Sequence, residues 1–206
     1  MRNCAFSGWL GGPALALALA ASVASADEPA KTEAPAAAAT LTEVEAGDMK
    51  LSVPDTWKQQ PPSNRLRLAQ FAIPAAEGDK VGAELVITPP IGGTRDANIT
   101  RWVNQFEADG RELVMTEGKC PQGDYVLVQL SGTYKRPIGP PIMGKTEPAP
   151  GYKMHGVMLS VVKDGKSVGN YFLKLTGPAK TVSANDDSLR ASIAGDKAKE
   201  TEYKLP

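Results

Sequence analysis

The sequence predicts an α+β fold, an α/β sandwich in which one antiparallel β-sheet is covered by two main helices. Three observations carry this reading. Short runs alternate apolar and polar residues, as at Met49–Val53 and Ala83–Thr88, the period of a strand with one buried face. Two stretches change to helical spacing: Ile99, Trp102, Val103 and Phe106 in one, Val182, Leu189 and Ile193 in the other; each set lines one helix face. Asp164-Gly165 stands between two apolar runs, where that dipeptide suits a tight hairpin. Amphipathic helices beside an antiparallel sheet bury their apolar stripes on it.

The chain opens with Arg2, an apolar run Ala14–Ala21 and the small-x-small triplet Ala24-Ser25-Ala26. These are the three parts of a signal peptide, so residues 1–26 are expected to be cleaved after Ala26. Gly11-Gly12-Pro13 interrupts the stretch, and the unbroken run falls short of the roughly 20 residues of a membrane span. No integral membrane span is therefore expected after cleavage. Cleavage removes one cation and no acid, leaving 22 cationic against 23 acidic side chains. It also removes Cys4 and leaves Cys120 alone, which excludes an internal disulfide and suits a small apolar filler. Residues 27–40 are rich in Ala and Pro and read as a linker. The domain is expected over residues 41–195, with a charged, fraying tail over 196–206.

Within the domain, Met49–Val53 is the first expected strand, closed by a turn at Pro54–Trp57. Leu66–Ile73 is the second, ended by Pro74, and Ala83–Thr88 the third, stopped by Pro89-Pro90. The helix is expected over Asp96–Glu107, with Asp96 as N-cap and Gly110 as the stop. Tyr125–Leu130 reads as a strand, and Arg136–Gly151, with five prolines, as a long loop. Tyr152–Val162 and Ser167–Leu175 form the hairpin, and Ala179–Ala194 the second helix.

Composition narrows function. Lys plus Arg number 23 and Asp plus Glu 23, a balance without the basic footprint of a nucleic-acid binder. Hydrophobic residues make up 42% and charged residues 22%, as in ordinary globular domains.

Several motifs fail on context. Gly139–Thr146 matches G-x-x-x-x-G-K-T, but Pro140 and Pro141 donate no N–H, and Glu147-Pro148-Ala149-Pro150 cannot continue as a helix. Gly165-Lys166-Ser167-Val168-Gly169 matches the hydrolase elbow, but it lies in the hairpin, and the lone His155 precedes Ser167. His155 without neighbouring cysteines makes no usual zinc site. Asp186-Asp187 fits helix capping better than a cation site. The sequon Asn98-Ile99-Thr100 falls within the helix. Gly92-Gly93 before a helix, with Arg95 and Arg101 near, could hold an anion, but a plain turn explains the same letters.

One set of residues goes beyond generic pattern. It comprises Trp57, Arg65–Pro74, Gly78-Asp79, Glu84-Leu85-Val86, Gly92-Gly93, Asn98, Arg101-Trp102, Gln105-Phe106, Gly151-Tyr152 and Tyr171–Pro178. Over residues 48–195 the chain resembles a family of uncharacterised exported bacterial proteins. That resemblance implies a PsbP/Mog-like fold, the fold of the photosystem accessory PsbP and the Ran-binding Mog proteins. It implies no enzymatic activity and no site residues, and fold alone transfers no role.

The expected function is a non-enzymatic, periplasmic or extracellular binding or accessory protein of the cell envelope. Its expected partner is an envelope protein, with no cofactor, no metal and no nucleic acid. Gly92, Gly93, Asn98, Arg101 and Gln105 are the candidate ligand or partner surface, the last three on one flank of the helix. The alternative is a small-ligand binder or enzyme with a pocket near Gly92, Gly93, Arg101 and Lys174. A deep pocket lined by charged groups would favour that alternative, and a flat surface the first reading.

Overall fold

The computed structural model describes residues 40–139 and 143–205. The expected signal peptide, all of the expected linker but Thr40, and Pro140-Pro141-Ile142 of the proline-rich segment lie outside the described residues.

The α+β expectation is overturned, because the described chain is mostly β. Eight strands form one antiparallel sheet: β3 (Lys58–Gln60), β4 (Ala69–Ile73), β5 (Ala83–Thr88), β6 (Glu112–Cys120), β7 (Gly123–Pro137), β8 (Thr146–Lys163), β9 (Lys166–Pro178) and β10 (Thr201–Glu202). Their spatial order is β10-β6-β7-β8-β9-β5-β4-β3. A separate hairpin pairs β1 (Leu41–Ala46) with β2 (Met49–Pro54). The helices are short: α1 (Arg95–Val103), α2 (Ala179–Ala184) and α3 (Asp186–Ser192).

Each departure from expectation has a local cause. Helix α1 is capped by Thr94, whose Oγ1 accepts from the Ala97 N–H at 3.2 Å. Asp96 lies in the first turn instead and accepts from the Tyr203 hydroxyl. The helix stops at Val103 because the chain then joins β7: Lys135 N–H bonds to Gln105 O, and Glu107 N–H to Thr133 O. The second helix breaks at Asn185, which leaves the helical region at φ −106°, ψ 10°. Its side chain is bonded to Thr181 O and to the Trp57 indole N–H, both at 2.8 Å.

The expected loop Arg136–Gly151 is mostly strand. Residues 146–149 of β8 pair with β7, the register shifts at Pro150-Gly151, and pairing with β9 begins only at Tyr152. Pro148 therefore sits where one side of the strand has no partner, and Pro150 lies at the irregularity, both positions where a strand tolerates proline. Strand β6 escaped the sequence reading because its residues are mainly exposed or half-buried and show no clean alternation. The hairpin turn is as expected: Lys163 pairs Lys166, and Asp164 and Gly165 have φ of 51° and 73°, the conformation of a primed turn.

Strand alternation gives the sheet two apolar faces. On the first, Phe71, Leu85, Leu127, Leu159, Leu173 and Leu175 pack with Met49, Leu51 and Val53 of β2 and with Val182, Leu189 and Ile193 of α2–α3. On the second, Val126, Val128, Leu130, Met154, Met158 and Phe172 pack under Ile99, Trp102 and Phe106. Trp102 lies on Gly156, where a Cβ would come within 2.6 Å of the indole. Phe172 meets the same indole edge-on at 5.9 Å.

The segment after Gly195, expected to fray, is held by ion pairs. Glu200 is forked by Arg190, Nε to Oε1 at 2.7 Å and Nη2 to Oε2 at 3.1 Å. It also accepts from Thr116 Oγ1 at 2.8 Å and the Tyr125 hydroxyl at 3.0 Å. Asp186 accepts from Arg190, Lys197 and Gln129, with His155 Nδ1 at 3.2 Å. Burial would raise both carboxyls, but these donors outweigh it and hold both below the usual carboxylate range.

Two outcomes follow for stability. Trp102→Ala is expected to cost about 3–5 kcal/mol in chemical denaturation, from lost packing and the cavity left over Gly156. Glu200→Ala is expected to cost about 3 kcal/mol, because it removes one of the two carboxylates that pair the buried Arg190 and the acceptor of Thr116 and Tyr125; Arg190→Met with Glu200→Leu should lose less. Both carboxyl values are depressed in the fold, so their contribution is full above the unfolded value near pH 4 and disappears as pH falls through the folded values. Acid titration followed at Tyr125 should report this loss.

Candidate functional site

Phe172-Leu173-Lys174-Leu175-Thr176 sets the site. Leu173 and Leu175 face the first core, so Lys174 and Thr176 share the opposite face. Lys174 stands opposite Val86 of β5 and Gly156 of β8, and Thr176 opposite Glu84 and Met154. A lysine is thus set on the same face as the apolar cluster under Trp102, just past the end of α1.

Its surroundings form a pocket of about 480 Å³ that includes Arg67, Glu84, Tyr134, Arg136, Tyr152, Lys174 and Thr176. That volume lies within the range of small-molecule sites. Lys174 Nζ donates to Gln105 Oε1 and, at 3.0 Å, to the Tyr134 hydroxyl. Nζ also lies 5.0 Å from the Tyr134 ring centroid, a cation–π distance. Tyr152 stacks on Tyr134 at 6.0 Å with 11° between the planes.

The other charges at the pocket are paired. Arg67 Nη1 lies 3.0 Å from Glu84 Oε1, and Gln70 Nε2 donates to the same oxygen at 2.8 Å. Arg136 is paired with Glu147. Among the described residues, Lys174 has no carboxylate in ion-pair distance. Burial pushes its ammonium down to about 8, with Glu84 raising it and Arg67 lowering it further. Burial pushes the Tyr134 phenol up to about 12, so it stays protonated at neutral pH. Thr176 Oγ1 is buried with no hydrogen-bond partner.

The structure divides the residues that the sequence grouped. Gly92 and Gly93 are exposed, and Asn98 is buried. Asn98 Nδ2 donates to Thr94 O at 2.9 Å, and its Oδ1 accepts from Arg101 Nη1 at 2.8 Å. Among the described residues, none of Asn98, Arg101 and Gln105 bonds to Gly92 or Gly93 through its side chain. Gln105 alone reaches the pocket, through Lys174. Arg67, Glu84, Tyr134, Arg136, Tyr152 and Thr176 were not named as site residues. The available signal was parity: Lys174 and Thr176 interrupt the apolar alternation of a central strand.

A second cleft of about 490 Å³ lies by β6 and the C-terminal segment. Lys119 and Asp124 there pair with each other at 3.4 Å and are exposed, so it holds no comparable buried charge. Among the described residues no cluster of three or more His, Cys, Asp or Glu could hold a metal ion, and no helix is long and apolar enough to cross a membrane.

No family model matches the chain, and no curated protein matches it. Among solved structures, it is similar to the solution structure of cyanobacterial PsbP (CyanoP) from Synechocystis sp. PCC 6803. The identity is 13% and the TM-score 0.39, over 85% of this chain and 100% of that one. This is a weak likeness of fold, and no residue role passes between the two.

Lys174 leaves a thermodynamic trace. Its folded value lies below the ordinary 10.5, so its charge lowers stability fully below about pH 8, and the cost is relieved as pH rises toward the unfolded value. Lys174→Met is expected to raise stability near neutral pH by about 1–2 kcal/mol, an advantage that shrinks above pH 8. Thr176→Val should add about 1 kcal/mol by removing an unpaired buried hydroxyl. Arg101→Ala, which removes one exposed side chain bonded to Asn98, should change stability by less than about 1 kcal/mol. Urea melts across pH check all three.

Proposed function

We propose that this is an exported, non-enzymatic binding protein whose ligand is a small molecule held in the pocket over Lys174. The observation that carries the reading is a partly buried cation, unpaired with any described carboxylate, facing a pocket of about 480 Å³. A charge that costs stability and faces a cavity is characteristic of a site kept for binding. The pocket favours a small ligand over the envelope-protein partner, which would use a flatter surface.

A binding role suits the groups better than catalysis. Acid–base chemistry needs two groups with values pushed apart and both free to exchange protons. Glu84, the carboxylate of the pocket, is tied to Arg67 and Gln70. Lys174 is held by Gln105 and Tyr134.

Export rests on the sequence of residues 1–26. The mature N-terminus is expected at Asp27, and N-terminal sequencing of the natively expressed protein checks it; a membrane-held chain beginning at Met1 would count against export. For binding, native mass spectrometry of protein taken from its natural source should show a small-molecule adduct that Lys174→Met loses while remaining folded. An adduct-free protein, indifferent to Lys174→Met in thermal melts against small-molecule mixtures, would refute the pocket reading.

A further inference from the structure

The hydrogen-bond valences around Lys174 narrow the ligand class. An ammonium has three N–H donors, and two are used, on Gln105 Oε1 and the Tyr134 hydroxyl. The Tyr134 oxygen accepts from Lys174, so its own O–H remains to be given, and it meets no acceptor among the described residues. The Thr176 hydroxyl likewise has no partner. Three donors at one pocket thus lack acceptors, and unsatisfied buried polar groups are uncommon enough to require a reason. The ammonium N–H and the Tyr134 O–H call for acceptors, and the Thr176 hydroxyl can give its proton to one as well, which an oxyanion supplies.

Charge selects among oxyanions. Glu84 compensates Arg67, and Glu147 compensates Arg136. Lys174 alone is left over, so one negative charge balances the pocket. A phosphate monoester, at about −1.5 to −2 near neutral pH, exceeds that charge. A carboxylate matches it, and its two oxygens can accept from more than one donor. The rest of the lining includes the stacked rings of Tyr134 and Tyr152 with Val86 and Pro137, which suits a flat, apolar body.

We propose that the pocket binds an organic monocarboxylate with a flat apolar body, its carboxylate on Lys174, Tyr134 and Thr176 and its body against Tyr152. This rests on the small-ligand reading above and names the chemistry of that ligand. The groups facing Lys174 that set its pH response are Glu84 from β5, Arg67 before β4, Tyr134 and Arg136 from β7, and Tyr152 from β8. Affinity follows protonation of Lys174: it holds below about pH 8 and falls as pH rises beyond it.

The test titrates benzoate, benzyl alcohol and inorganic phosphate separately into the folded protein, following the Lys174 side chain and the Tyr152 ring by NMR with calorimetry alongside. Benzoate should give saturable shifts at both residues. Phosphate and the uncharged benzyl alcohol should be at least about tenfold weaker, as loss of charge matching or of charged hydrogen bonds requires. Benzoate affinity should fall about tenfold or more between about pH 7 and pH 9.5, and bound benzoate should raise the Lys174 value. Lys174→Met should abolish benzoate binding. Thr176→Val, nearly isosteric, should weaken it by about threefold to tenfold, and Arg101→Ala should leave it unchanged. Phosphate or benzyl alcohol binding as tightly as benzoate at the same resonances would overturn the carboxylate assignment and leave the small-ligand reading standing. No shift from any of the three compounds at tens of millimolar would overturn both.

Discussion

The contact between Trp102 and the bare backbone of Gly156 governs how the second face of the sheet is used. The indole occupies the volume a Cβ would need, so α1 lies close against β8 at that point. Ile99 and Phe106 then meet the apolar residues of β7 and β8, and the chain leaves the helix at once to pair with β7. A nine-residue helix anchored there covers part of an eight-stranded sheet. What it leaves uncovered, toward β5 and β4, is the face that carries Lys174, Thr176 and Glu84. The pocket is therefore a consequence of where one tryptophan can sit.

The strands that bury one side completely were legible in the sequence. Ala83–Thr88 alternates cleanly because Ala83, Leu85 and Ile87 enter the core while Glu84, Val86 and Thr88 do not. The turn at Asp164-Gly165 was legible because few dipeptides tolerate two positive φ angles. What was not legible depended on distant partners. The exposed strand β6 exists because β7 and β10 flank it. Pro148 and Pro150 lie in strand because β9 stops short of them. The single helix expected over Ala179–Ala194 breaks where Asn185 binds Trp57, 128 residues away in sequence. The two-helix α+β reading failed for the same reason: periodicity marks an apolar stripe, but not how long the backbone under it stays helical. The candidate site was read in fragments. Lys174 and Gln105 were each singled out, in different groupings, and the hydrogen bond between them joins the two. The pairing of Arg67 with Glu84 depends on the β4–β5 register, which no local pattern states.

The site also has an energetic logic. A methionine or valine at position 174 or 176 would continue the apolar face of Phe172, Met154 and Met158 without unpaired polar atoms. The fold instead carries a cation whose protonation burial opposes and a hydroxyl with no partner. The first core, built from both helices of the C-terminal region and the β1–β2 hairpin, supplies the stability that tolerates this. One face thus holds the domain together while the other is free to carry polar groups that weaken it.

The Arg190–Glu200 fork bears on the order in which the molecule can form. A polypeptide leaves a ribosome or a translocation channel one residue after another, and Glu200 is the acceptor for Thr116, Tyr125 and Arg190, all of which come before it. Until residue 200 emerges, a guanidinium destined for the interior has only Asp186 of its two counter-charges, and the free edge of β6 lacks the strand that covers it. Vectorial emergence therefore withholds the final closure until nearly all of the domain is available at once. A domain fastened by one of its latest residues keeps its last edge open until that residue has joined the fold.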